Sequence, residues 1–290
     1  MKQDRLFLTA GFMPAVVMAT LLLMEHLLGN DLLPKIVWAV LAAEVAAYLL
    51  PVIVLRLLPD NEGKRARFRF KAYRRQTVVF VLWMSLATAL LAALTNYGVA
   101  LLLDQTAFAD TTTVTQYGIE SWWQTLLVVV LLPAVVEELF FRGVMFSALE
   151  RCGTWPALLL TSLAFAMIHG DVRNFAGPLV AGLIYGYMTY VLDSVWPAVF
   201  AHMINNALAL FLSNTAETYS ALGLWPYILL AAVFCLCLFT SLAMRALDAQ
   251  IEKGRVRRLQ YQNRSATLTA IFVSPGIWLM MILFAVRVLY

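Results

Sequence analysis

Apolar residues run along this chain in long unbroken stretches and not in alternation, a pattern that favours helices and leaves no competing strand period. The stretches cover roughly Leu6 to Leu28, Leu32 to Leu58, Thr77 to Leu103, Trp122 to Leu149, Trp155 to His169, Phe175 to Leu192, Val195 to Leu212, Trp225 to Leu247 and Ala266 to Val286. Since a bilayer is crossed by a helix of about 20 apolar residues, the expected fold is all-α, a polytopic transmembrane helical bundle of about 8–9 spans. The fifth and sixth elements are short, and Pro51 predicts a kink in the second. There is no internal repeat, low-complexity segment or linker, so 1–290 reads as a single integral membrane domain. Thr111 to Tyr117 is its one polar loop of any length.

The polar residues between these runs give a topology. Bases gather in two loops, 61–75 and 253–264, while the loops holding Asp104, Asp110 and Glu120, or Glu217, carry acids and no base. The excess of bases marks both loops as cytoplasmic, and the six spans between them are the even number this requires. Alternating Arg and Phe in 61–75 also suit a short amphipathic segment on anionic headgroups. The first run follows Lys2 and Arg5, is too long for a signal peptide, and is expected to be retained, with Glu25 and His26 at its far end.

Composition sharpens the class. With 62% hydrophobic and 13% charged residues, the chain lies far from soluble globular domains. Its net charge of +4 is confined to loops between apolar runs, which speaks for membrane topology and against nucleic acid. Cys152, Cys235 and Cys237 form no disulfide framework, and the last two are expected to pack as small hydrophobes.

Candidate chemistry begins in the fourth run, where Glu137, Glu138 and Arg142 interrupt apolar sequence. A carboxylate at that depth is costly unless paired or facing a wet cavity. On a helix Glu138 and Arg142 stand four apart in the favourable order for an ion pair, while Glu137 points about 100° away. One acid is thus anchored and its neighbour is left for another task. His169 closes the fifth run, with Phe165 one turn before it. In the seventh run Asn206 shares the face of His202, with Asn205 also within reach. A carboxylate in a low-dielectric pocket serves as a general base toward water, imidazoles hold that water, and donors from His202 and Asn206 stabilise an oxyanion. Glu137, His169 and His202 would alternatively hold zinc with an open position for water. Each group alone is more often a structural contact between helices, and Glu44 alone is a paired or cavity-facing acid. Three runs each carrying a polar cluster at one-turn spacing make the catalytic reading the stronger one.

These clusters, Glu137-Glu138 with Arg142, Phe165 with His169, and His202 with Asn206, resemble in order the three motifs of the CAAX-protease and bacteriocin-processing (CPBP, or abortive-infection) family. The resemblance covers about 122–212. It implies an all-helical intramembrane endopeptidase, with eukaryotic members that remove the last three residues of prenylated CAAX proteins. It further implies Glu137 as general base supported by Glu138 and Arg142, and His169, His202 and Asn206 as holders of water and oxyanion. The family has been described both as metal-dependent and as glutamate-type.

The expected protein is therefore an endopeptidase of a bacterial inner membrane, acting on a membrane protein or peptide. No cofactor is favoured, with zinc as the alternative. A non-catalytic immunity or scaffold protein that binds a peptide on the same fold is the competing reading. A transporter is disfavoured because paired, interrupted spans are missing. Simple span counting leaves one tension: His169 falls near the outer end of its helix and His202 nearer the inner end.

Overall fold

The computed structural model describes residues 5–29, 37–59, 63, 65–103, 121–150, 153–259 and 274–289. Nine helices are found among them: α1 (Arg5–Gly29), α2 (Val37–Leu57), α3 (Val78–Leu102), α4 (Trp122–Leu149), α5 (Thr154–Ile168), α6 (Ala176–Leu192), α7 (Trp196–Ala221), α8 (Trp225–Glu252) and α9 (Pro275–Leu289). No strand occurs among the described residues, only two isolated bridges. Four segments are long and apolar enough to cross a membrane: Arg5–Leu27, Arg75–Leu102, Trp122–Leu149 and Trp225–Glu252. The molecule is a helical membrane bundle. The loop acids Asp104, Asp110 and Glu120, the Thr111–Tyr117 loop, Lys2, Cys152, residues 61, 62 and 64, and 260–273 lie outside the described residues.

α3 forms the spine, packing against α6, α7 and α8, while α5 and α6 form a hairpin. α8 rests on α3 and turns most of its apolar surface outward. Cys235 on it is partly buried and Cys237 is exposed, so the latter does not pack inside the protein as expected. α1 and α9 cross so closely that a Cβ on Gly276 would lie 2.2 Å from the Gly11 carbonyl oxygen, which only glycine permits. At one end of this pair Arg287 bonds Glu25 at 2.6 Å.

One further expectation is revised. α7 continues past Leu212 to Ala221, so Glu217 is an exposed residue of its last turns and not of a loop. Hydroxyls such as that of Thr215, bonding back to the Phe211 carbonyl at 2.8 Å, sustain the helix until Gly223 ends it at φ +64°. The Arg/Phe stretch, in turn, is an extended strap that buries Ala66 and Arg69 and leaves Arg65, Arg67 and Phe70 exposed. Phe68 stacks on Phe70 at 4.6 Å and lies against Gly143 of α4. The Arg67 amide donates to the Ser147 hydroxyl at 2.8 Å, and the Val195 amide donates to the Arg69 carbonyl at 2.9 Å. The strap thus ties α4 to the turn between α6 and α7.

Both basic loops meet at that turn. Asp193 caps α6 in the left-handed conformation at φ 51°. Its carboxylate lies 3.2 Å from Arg69, 3.1 Å from Arg257 and 3.7 Å from Lys71. Arg69 is almost fully buried and also bonds Glu150. One partly buried acid therefore gathers cations from segments nearly two hundred residues apart and brings the described parts of both loops to one end of the bundle.

Candidate active site

α4 carries the two glutamates, and its backbone is not a simple α-helix. Leu126–Leu131 and Leu139–Met145 are π-helical, flanking the α-helical Leu132–Glu138. Such wide turns in a helix are frequent at functional sites. The first has a cause in the sequence: the α-helical partner of the Val129 carbonyl would be residue 133, and Pro133 has no N–H. The Asn206 side-chain amide donates to that carbonyl at 3.2 Å. One N–H of Asn206 is thereby used to lock α7 to α4, and its second remains for other work.

Glu138 is the anchor. Its Oε1 accepts from Arg142 Nη1 at 2.8 Å and from His202 Nδ1 at 3.0 Å, with the pair fully buried. Arg142 Nη2 donates to the Gly182 carbonyl at 3.1 Å. A Cβ at Gly182 would come within 3.0 Å of that nitrogen, so α6 must have glycine to approach. The guanidinium also lies 4.5 Å from the Phe165 ring centre and 5.4 Å from that of Tyr185. Arg142 is thus caged by two aromatic faces, a carboxylate and a carbonyl, which compensates the cost of burying its charge.

Glu137 differs. It is 9% exposed, and its Oε2 has no hydrogen-bond partner among the described residues. Its neighbours include a helix that the sequence had not assigned to the site. Tyr48 of α2, 2% exposed, and Glu44 one turn earlier both lie close enough to Glu137 to interact with its carboxyl. Nothing local marks Tyr48 in the sequence, because a tyrosine in an apolar run is ordinary. Only its spacing of four from the mid-span Glu44 was available as a signal.

His169 caps the C-terminus of α5, and its Nδ1 lies 2.9 Å from the Phe165 carbonyl. A carbonyl only accepts, so Nδ1 carries the proton and Nε2 is left for the site. By the same logic His202 directs Nδ1–H at Glu138 and leaves Nε2. Both imidazoles stand at right angles to one ring, that of Phe165, at 5.1 Å and 5.4 Å. This contact removes the depth tension. α5 has 15 residues, about 22 Å of helix, and falls short of a hydrocarbon core of about 30 Å. Phe165, one turn before the end of this short helix, lies beside both His169 and His202. The turn beyond is held by Arg173, which bonds both oxygens of Asp171. Partial burial works to raise the Asp171 carboxyl, but these contacts outweigh it and hold the group below the usual carboxylate range.

Among the described residues no three His, Cys, Asp or Glu side chains converge as a metal ion requires. His169 and His202 share the Phe165 ring, which has the buried Arg142 guanidinium across its face.

A bundle that holds a spare carboxylate, two oriented imidazoles and an amide at membrane depth has the groups of an intramembrane hydrolase. Residues 119–208, which contain all three clusters, match the family described as Type II CAAX prenyl endopeptidase Rce1-like. A relative in Bacillus subtilis (strain 168), named "Putative membrane peptidase YdiL", is 25% identical over 79 residues, 27% of this chain and 32% of that protein. The match thus spans about a third of the relative's length. No solved structure matches the chain. Together these similarities support a CPBP-family intramembrane protease, embedded in a membrane.

Proposed function

We propose that this protein is an endopeptidase that hydrolyses a peptide bond of a membrane-associated protein or peptide by a metal-free, glutamate-activated water. The observation that carries this reading is the division of labour between adjacent acids: Glu138 binds Arg142 and His202, while Glu137 presents a carboxyl oxygen with no partner among the described residues. In the proposed reaction a water donates one hydrogen to Glu137 and the other to His169 Nε2. Its oxygen attacks the scissile carbonyl carbon as Glu137 takes the first proton. The second N–H of Asn206 and, when protonated, His202 Nε2 stabilise the oxyanion. Collapse breaks the C–N bond, and Glu137 returns its proton to the leaving amine. The products are a carboxylic acid and an amine, which exchange a proton and leave as carboxylate and ammonium, and the Glu137 carboxylate base is regenerated.

The basic end of the bundle, where Arg69, Lys71 and Arg257 meet Asp193, faces the cytoplasm in this reading, with the inner membrane of a bacterium as its setting. The test is cleavage by the protein in liposomes of internally quenched peptides, one a prenylated CAAX peptide and one an unmodified membrane-inserting helix. Cleavage of either that disappears in Glu137→Gln supports the proposal. Binding of both peptides without cleavage would support the scaffold reading instead. Stoichiometric zinc, with activity lost on chelation and restored by adding it back, would overturn the metal-free mechanism.

A further inference from the structure

Helix α2 lies outside the segment that matches the protease family, yet it reaches the centre of the site. It packs against α4 both at Leu132–Glu138 and at Leu139–Met145. Tyr48 is wedged there, its ring 6.1 Å from Phe140 and 6.4 Å from Phe141. Those aromatic contacts fix the ring one turn from Glu137, close enough for Tyr48 and the Glu137 carboxyl to interact. A carboxyl on a two-carbon stem has several rotamers, and its immediate neighbour on the helix is already committed to Arg142 and His202. A rigid phenol that takes one oxygen of Glu137 would select one of those rotamers and aim the other oxygen.

We propose that Tyr48 is a positioning residue that orients the Glu137 carboxyl from α2, so that the site is built from four runs of the sequence and not three. The inference rests on the protease reading for its catalytic meaning, but the contact itself is independent of it. The charged and titratable groups facing Glu137 are Glu44 and Tyr48 from α2, Tyr185 from α6, and Glu138 and Arg142 from its own helix. Removing the Tyr48 hydroxyl alone leaves the packing against Phe140 and Phe141 in place, so Tyr48→Phe is expected to fold.

The experiment uses the full chain in liposomes and has two readouts. In infrared spectra, the carboxyl stretch of Glu137, ionised or protonated, is the band missing from Glu137→Gln. That band should shift in Tyr48→Phe, and the pH at which it titrates should move. On whichever quenched peptide the wild type cleaves, Tyr48→Phe should lower kcat by about 10- to 100-fold, the scale of one hydrogen bond to a charged group, with KM little changed. An unshifted Glu137 band in Tyr48→Phe overturns the positioning role, whatever the peptides do. A shifted band with no peptide cleaved by any form upholds the contact and sinks the protease reading. A kcat equal to that of the wild type, despite a shifted band, overturns the catalytic meaning of the contact.

Discussion

At the scale of single residues, neighbouring acids in one helix differ only in where their oxygens go. Glu138 has lost its freedom to Arg142 and His202, and Glu137 has kept one oxygen. Glu137→Gln, almost isosteric, should keep the thermal melting of the wild type in detergent while peptide cleavage falls by about 10²–10⁴-fold, the usual worth of a general base. Glu138→Ala or Arg142→Ala should behave differently, because each strands the other charge in a fully buried position. The expected loss is about 3–5 kcal/mol of stability, seen as a lower melting temperature and poor expression. Melting curves that match the wild type would show that the pair is not what anchors the site. The anchor itself was legible in the sequence, since acid and base stand four apart. The role of Glu138 as acceptor for His202 was not, because 64 residues separate them.

At the scale of elements, the departure of α4 from regular helix follows from one residue and is completed by another helix. Pro133 leaves the Val129 carbonyl without its ordinary partner, and Asn206 supplies one. Asn206→Ala should destabilise the wild-type chain by about 1 kcal/mol through the carbonyl left unpaired. In a Pro133→Ala background, where residue 133 can donate, the same substitution should cost clearly less. Thermal melting of the four variants measures this coupling as a double-mutant cycle. Additive losses would mean that Asn206 does not act on α4 through that carbonyl. The sequence showed Asn206 on the face of His202 and suggested an oxyanion donor, but its attachment to α4 required both helices to be placed.

At the scale of the molecule, the two basic loops converge on Asp193, an acid that charge counting passed over among so many bases. Asp193→Asn tolerates the left-handed conformation at this position and removes only the charge. Trypsin should then cut faster after Lys71 and Arg257 in the solubilised protein, with little change in cutting elsewhere. Equal cleavage rates in both forms would show that the loops are held by packing alone. The strap at 65–70 belongs to the same scale: it is extended, with an alternation that turns Ala66 and, in part, Phe68 inward and leaves Phe70 exposed. Arg69 breaks that alternation because Glu150 and Asp193 receive it inside.

The sequence by itself determined that the chain is a helical membrane protein, approximately where its helices run, and which three clusters set polar side chains into apolar runs. Those features are written in local periods and in the cost of placing charge among apolar residues, so a linear reading reaches them. Tertiary structure decided how the clusters meet. The short α5 and the shared Phe165 ring bring His169 and His202 to one level, Gly182 lets α6 approach Arg142, and α2 delivers Tyr48 to Glu137. Each depends on two segments far apart in the chain approaching within a few ångströms, and the spacing of residues along one helix carries no record of its neighbour.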